Sequence, residues 1–244
     1  MIVYPAIDLR GGVCVRLMHG RFDQATLYDE DPAARLAAFA AAGATWAHIV
    51  DLDGAEAGRA MQHALIGELA RSGDILIQSG GGVRSDDDIR ALLAAGVARV
   101  VVGSQAVTRP EAVAGWLEHF GADRLTLAID VRAVGDRWVP ALKGWTQAAE
   151  VDLWAALDRY PPGTARHLLV TDVGRDGALT GPNFDLLAEL RRRRPDLELQ
   201  ASGGVATLDD LTGARAVGAA GVIVGRALYE RRFTLQQALE TAST

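Results

Sequence analysis

Two aspartates stand at matching places in the chain. Ala6-Ile7-Asp8 and Ala128-Ile129-Asp130 are the same tripeptide at an offset of 122 residues, half of the 244-residue length, and Arg10 falls on Arg132 at the same offset. Each aspartate ends an apolar run, 2–8 and 125–130, that reads as a buried strand. A carboxylate placed there is costly unless it is hydrogen-bonded or put to use. Two carboxylates facing each other across one substrate can divide a proton transfer. One serves as general base and the other as general acid, provided their surroundings separate their pKa values. The alternative is a pair of helix-capping aspartates.

The same offset carries a second kind of feature. Residues 78–83 read Gln-Ser-Gly-Gly-Gly-Val and residues 200–205 read Gln-Ala-Ser-Gly-Gly-Val. The match runs on without a gap through Asp87-Asp88 on Asp209-Asp210, Gly96 on Gly218, and Val102-Gly103 on Val224-Gly225. Glycine turns let backbone N–H groups come close to an oxyanion, and a helix start adds a favourable dipole. Gly81 and Gly82 with Gly103 and Ser104 therefore form one candidate phosphate cradle. Gly203 and Gly204 with Gly225 and Arg226 form the other, to which Arg226 adds a positive charge. The competing explanation is that these glycines only permit tight turns. Two cradles facing each other across one mouth would suit an elongated small molecule with a phosphate at each end.

Other polar residues cluster near these ends. Thr171, in the run Val170-Thr171-Asp172, is placed to hydrogen-bond a substrate hydroxyl, and Asp176 lies in the loop beyond it. Trp145 sits in a loop, where an indole stacks on a planar ligand or joins a satellite hydrophobic cluster. Arg16 lies in the first loop, where a solvated role is equally open. His48 falls within an apolar run and is a substrate-binding candidate, although a strand histidine is more often a satisfied core residue.

All of these residues need a scaffold that brings strand ends together. Candidate strands at 2–8, 46–51, 75–79, 100–103, 125–130, 168–172, 197–202 and 221–225 alternate with helical stretches. Non-alternating apolar strands separated by helices imply a parallel sheet. Eight such units predict an α/β fold, a (β/α)₈ TIM barrel with a two-fold internal half-barrel repeat, and ligands at the C-terminal strand ends. The expectation is one barrel over 1–244, with halves at about 1–122 and 123–244; an open doubly wound sheet is the alternative. Helix starts are legible as well. Asp31-Pro32 pairs an N-cap with an N1 proline, and Ser85…Asp88 and Thr207…Asp210 both have capping-box spacing.

Composition narrows the classes. Apolar residues make up 49% and charged residues 23%, ordinary values for a globular protein, and the net charge of −6 argues against a bulk nucleic-acid surface. No stretch is long enough to span a bilayer. The first residues read as a strand with no leader pattern, so the expectation is a cytoplasmic protein with no membrane partner. Cys14 is the one cysteine, which leaves no disulfide framework. No spacing of His, Asp and Glu suggests a metal, and no GxGxxG follows a strand. Neither a metal nor a cofactor is expected.

With these residues assembled, the chain resembles the ProFAR isomerase family of histidine biosynthesis (phosphoribosylformimino-5-aminoimidazole carboxamide ribotide isomerases). The likeness covers nearly the whole chain. It is carried by Pro5-Ala6-Ile7-Asp8, His48-Ile49-Val50-Asp51-Leu52, Gly80-Gly81-Gly82-Val83-Arg84, Ala128-Ile129-Asp130-Val131-Arg132, Thr171-Asp172 with Arg175-Asp176-Gly177, Gly181-Pro182-Asn183, and Gly225-Arg226-Ala227-Leu228-Tyr229. The resemblance implies an Amadori rearrangement of an aminoaldose to an aminoketose without a cofactor, on a substrate bearing two ribose phosphates; the expected state is a monomer. It implies Asp130 as the general acid for furanose opening and Schiff-base formation, Asp8 as the base that takes the proton from the second sugar carbon, and Thr171 as a catalytic partner. Arg16, Trp145 and Asp176 match the family's substrate-binding loop residues.

Three alternatives accompany this resemblance. The sister cyclase family resembles Cys-Leu-Asp in the first strand, a lysine in the first loop and a serine after the strand-six threonine. This chain has Ala6-Ile7-Asp8, Arg16 and Asp172 there. A bispecific form that also isomerises phosphoribosylanthranilate resembles Arg-Gly-Trp in the fifth loop, where this chain has Lys143-Gly144-Trp145; Ser79, a small apolar residue in many monospecific members, leaves dual specificity open. A barrel kept as a bisphosphate sensor would bind without turnover and would be expected to have lost its acid–base pair.

Overall fold

The computed structural model describes residues 1–18, 21–142 and 144–243, and of these the side chains of 16–18 and 21–25 lie outside the description. The strands are β1 (Ile2–Arg10), β2 (Val13–Met18), β3 (Arg21–Asp29), β4 (Trp46–Asp51), β5 (Leu76–Gly80), β6 (Arg99–Val102), β7 (Leu125–Val134), β8 (Arg137–Leu142), β9 (Gln147–Ala148), β10 (His167–Asp172), β11 (Glu198–Ser202) and β12 (Gly221–Val224). In chain order β1, β4, β5, β6, β7, β10, β11 and β12 are parallel neighbours. The ring then closes, because β12 pairs with β1 from Ile2↔Gly221 to Pro5↔Val224. That closing pair separates a (β/α)₈ barrel from an open sheet. The eight expected strands all form, each within about two residues of its predicted start.

The alternation along β1 shows how the layers arise. Val3, Ile7 and Leu9 belong to the main apolar cluster with helix residues such as Leu36, Phe39 and Ala238. Tyr4 and Ala6 point the other way and pack with Leu169 and Ile223 inside the barrel. Both strand faces are thus covered, which is why the sequence shows continuous apolar runs rather than alternation. Full burial of a side chain such as Ile7, Ile49 or Ile129 contributes about 1.5–3 kcal/mol relative to exposure.

The helices begin where their caps dictate. Asp31 accepts from the N–H groups of Ala33 (2.9 Å) and Ala34 (3.0 Å) and starts the helix Pro32–Ala41 with its proline in the first turn. Ser85 and Thr207 each form a complete capping box, with Asp88 and Asp210 respectively, at the starts of Asp86–Ala94 and Leu208–Ala216. The helix that follows the glycine turn is therefore fixed in the same way in both halves.

The repeat also meets itself inside the barrel. Gln78 Nε2 donates to Gln200 Oε1 at 2.8 Å, a contact between residues 122 apart in sequence. Around this pair lies a buried polar layer. Arg99 donates to the Tyr4 hydroxyl (3.0 Å), to Gln78 Oε1 (3.4 Å) and to the Asp123 carbonyl (3.2 Å), and its guanidinium sits 4.5 Å from the centre of the Trp46 ring. A buried cation is tolerable only with such partners.

Two hairpins depart from the expected pattern. The reading of 2–8 and 125–130 ends both strands at an aspartate, whereas β1 and β7 continue beyond Asp8 and Asp130. β1 turns back antiparallel into β2, pairing Asp8↔Val15, Leu9↔Cys14 and Arg10↔Val13. β7 turns back into β8, from Val131↔Pro140 to Val134↔Arg137. The physical signal is the short glycine turn that joins each pair of strands, Gly11-Gly12 in one half and Gly135-Asp136 in the other, a pattern typical of two-residue hairpins.

Candidate active site

Asp8 and Asp130 sit where the parallel sheet hands over to these hairpins. Asp8 is opposite Val50 on β4, and Asp130 is opposite Thr171 on β10, so the two occupy equivalent places in the ring. Both line one cavity of about 280 Å³ at the C-terminal ends of the strands. Neither caps a helix, since both lie inside strands. The capping alternative is therefore removed.

Their neighbours differ. The indole Nε1–H of Trp145 donates to Asp130 Oδ2 at 2.8 Å, and the Thr171 side chain also hydrogen-bonds the Asp130 carboxyl. Both contacts favour the ionised form, but enclosure by the barrel wall outweighs them. Burial pushes the Asp130 carboxyl up from its ordinary range, and the negative charge of Asp176 pushes in the same direction. At the position opposite Asp8, Val50 has no hydroxyl to offer. The two carboxylates are alike in backbone and unlike in surroundings.

Trp145 reaches Asp130 because of an unusual turn. Gly144 (φ 62°) and Trp145 (φ 69°) both take left-handed backbone, at the bend between β8 and β9. A bulky residue at positive φ is uncommon and costs roughly 1–3 kcal/mol, a strain found where a side chain must be aimed. Trp145→Phe removes the donor. The Asp130 pKa should rise further, so any activity that depends on protonated Asp130 should persist to higher pH. The alkaline limb of kcat/KM measures this; a limb that stays in place or moves down would separate Trp145 from Asp130 ionisation.

The remaining candidates fall around the same cavity. His48 lines it one layer below Asp8, opposite Ala6, with its Nδ1 3.1 Å from Gln78 Nε2. Asp176, Gly81, Gly82, Gly103, Ser104, Gly203, Gly204, Gly225 and Arg226 all line it as well. Arg16 has its backbone in β2, opposite Thr26; its side chain, with Lys143 of the fifth-loop motif, lies outside the described residues. Arg226 does more than face the cavity. Its Nε donates to Glu230 at 2.6 Å and its Nη1 to the Gly177 carbonyl, so its charge is partly compensated and it ties down the loop that carries Asp176. Arg175 ties the same loop from the other side, donating to Gly181 O at 3.0 Å.

Several strand-end residues have structural tasks. Asp51 is fully buried and accepts from the N–H groups of Gly54 (2.6 Å), Met61 (2.9 Å) and Gln62 (2.8 Å), which pins the second loop. Asp172 accepts from Gly174 N–H (2.9 Å) and Asn183 Nδ2 (2.7 Å) in the corresponding loop of the other half. Ser79 is fully buried and does not line the cavity, whereas its neighbour Gly80 does. Cys14 is buried, and burial pushes its thiol up to about 12, too high for a thiolate at neutral pH.

Sequence reasoning passed over some lining residues. Arg84, Gln105 and Leu179 also face the cavity, beside Ser202 at the head of the second glycine cradle. Arg84 directly follows the first glycine motif and was within reach of that signal. Leu179, which takes a φ of 55°, has no counterpart in the sequence pattern.

Comparison with known proteins adds an independent line. A family model described as "Histidine biosynthesis protein" matches residues 2–234. A protein of Maricaulis maris (strain MCS10) is 54% identical over 239 residues, 98% of each chain; it is named 1-(5-phosphoribosyl)-5-((5-phosphoribosylamino)methylideneamino) imidazole-4-carboxamide isomerase. Proteins of the same name from Xanthomonas euvesicatoria pv. vesicatoria (strain 85-10) and Stenotrophomonas maltophilia (strain R551-3) are each 47% identical. The first is matched over 97% of this chain and 98% of its own, the second over 98% of both.

Proposed function

The chain belongs to the histidine biosynthesis protein family, and from that premise we propose that it catalyses the aldose-to-ketose isomerisation named in its relatives, acting on the aminoaldose ProFAR. The relatives' name carries two phosphoribosyl groups. The single observation that carries the proposal is that Asp8 and Asp130, at equivalent strand positions in unlike surroundings, line one cavity with both glycine cradles.

In this proposal Asp130 is the acid. Burial and the nearby Asp176 charge favour its protonated form, as an acid that must hold a proton near neutral pH requires. It protonates the furanose ring oxygen, the C1–O bond opens, and the C1–N bond becomes a Schiff base. Asp8 then removes the proton from C2, the electrons shift into a C1=C2 enolamine, and return of that proton to C1 with loss of the 2-hydroxyl proton to the Asp130 carboxylate leaves a ketone at C2 and restores both carboxyls. No atoms are gained or lost. Thr171 and Trp145 hold the Asp130 carboxyl in place, and Trp145 is placed to stack on a planar part of the substrate. Arg16 and Asp176 are assigned to substrate binding, and His48 to a hydrogen bond with a substrate oxygen. The cradles at 81–82 with 103–104 and at 203–204 with 225–226, one in each half of the barrel, take the two terminal phosphates.

Among the described residues no helix is long and apolar enough to cross a membrane. A cytoplasmic monomer is the working assignment, supported by a barrel that closes on itself and by a lone buried thiol. Strict specificity is favoured over dual specificity because Ser79 faces away from the cavity. The test offers ProFAR and phosphoribosylanthranilate side by side to the purified protein. Formation of the ketose from ProFAR alone, with no added nucleotide or metal, is expected. Turnover of the anthranilate would refute the strict form, and no turnover of either would refute the isomerase assignment.

A further inference from the structure

The Gln78 amide has two ends, and Arg99 decides which faces where. Arg99 carries only N–H donors, so the end of Gln78 that meets it at 3.4 Å must be Oε1. The Nε2 end then directs its two hydrogens at Gln200 Oε1 (2.8 Å) and at His48 Nδ1 (3.1 Å). An imidazole nitrogen that accepts a hydrogen bond bears no proton, so the single ring proton must sit on Nε2. We propose that Gln78, oriented by Arg99, is a positioning residue that holds His48 as a neutral Nε2–H donor within the substrate cavity.

This deepens the isomerase assignment and rests on it for its catalytic meaning. His48 lies one layer below Asp8, since β4 pairs His48 with Ala6 and Val50 with Asp8. A neutral N–H there can steady an oxygen of the substrate without adding a positive charge beside the base. An imidazolium in the same place would stabilise the Asp8 carboxylate and weaken it as a proton acceptor. The device belongs to one half only. In the other half the residue opposite Ala128 is Leu169, so the partner glutamine Gln200 has no ring to orient.

The tautomer is directly measurable. In the ¹⁵N-labelled full chain, long-range ¹H–¹⁵N correlation should show His48 Nδ1 unprotonated and Nε2 protonated at neutral pH, with the resonances assigned against His48→Gln. An Nδ1–H tautomer, or a doubly protonated ring, would overturn the proposal. This readout needs no substrate, so it stands or falls separately from the isomerase assignment. Gln78→Met removes the donor at similar volume and should let the ring populate both tautomers, with kcat/KM lowered by about tenfold, the value of one hydrogen bond. Gln78→Glu should move the proton to Nδ1. In a His48→Ala background Gln78→Met should change kcat/KM little. A tautomer unchanged by Gln78→Met, or a full additional loss in the double variant, would assign Gln78 to packing alone.

Discussion

Asp8→Asn and Asp130→Asn are each expected to lower kcat by about 10²–10⁴-fold while the barrel stays folded. The amide is nearly isosteric with the carboxyl and keeps an acceptor oxygen, but it neither takes nor gives a proton in the working pH range. Circular dichroism and single-turnover assays would read fold and chemistry separately. Activity within tenfold of the wild type in either variant would remove that aspartate from the mechanism. Asp130→Asn has a second expected effect, on stability. The Asp130 pKa is raised in the folded state, so the stability contributed by this group is full below its unfolded value and is lost as pH rises through the folded one. Only above its raised folded-state pKa does the wild type hold an enclosed carboxylate against its surroundings. The asparagine variant should therefore gain on the wild type as pH rises through the folded-state pKa of Asp130, and that relative advantage should be gone once pH has fallen to the ordinary carboxylate range. A variant that melts lower at neutral pH and gains on acidification would reverse the assigned sign.

Gly82→Ala and Gly204→Ala should be strongly disruptive small substitutions in the site. The two positions are equivalent in the repeat, and both have left-handed backbone, φ 76° at Gly82 and 88° at Gly204. A methyl group at Gly82 would lie 2.5 Å from the Arg59 carbonyl oxygen, and one at Gly204 would lie 2.2 Å from the Gly181 carbonyl oxygen. Both obstacles are backbone, so the turn itself must move. Strain from the torsion alone costs about 1–3 kcal/mol, and displaced loops add to it. The expected result is a lower melting temperature together with a marked rise in KM, because the N–H groups meant for a phosphate would no longer converge. Inorganic phosphate should stabilise the wild type against heat, as any ligand of the folded state does, and each variant should lose part of that protection. If both variants melt lower but keep the full phosphate effect, the glycines serve the turns and not the ligand.

How much of this was legible follows from which forces leave a local trace. The strands of the ring were readable because both faces are buried, which leaves continuous apolar runs such as residues 46–51. The capping boxes at Ser85 and Thr207 were readable because they depend on residues three apart. Asp8, Asp130 and the glycine turns came from the repeat, a signal that needs no structure. The hairpins were missed because a strand leaving the barrel for solvent loses its apolar continuity: in β7 Val131 is still buried, and the residues from Arg132 on are exposed. The bond from Trp145 to Asp130 depends on left-handed torsions at a bend, and Arg226's tie to Gly177 spans 49 residues. The orientation of Gln78 depends on Arg99, 21 residues away and one strand over. None of these has a periodicity to read. Family resemblance supplied the roles of acid and base; the unlike surroundings of the two aspartates supply a physical reason for them.

The bond between Gln78 and Gln200 has a consequence for the halves themselves. A contact between equivalent residues falls on the axis that relates them, where two-fold symmetry would require each partner to do what the other does. A single N–H···O bond has a direction, and here Gln78 gives while Gln200 receives. The axis is thus polarised at its centre. That choice frees the second Gln78 hydrogen for His48 and leaves Gln200 facing a half that has leucine in the matching place. Exchange of the two halves would not restore the same molecule, even with both aspartates and both cradles in place. The directionality of one amide pair divides the barrel into a side that is tuned by an imidazole and a side that is not.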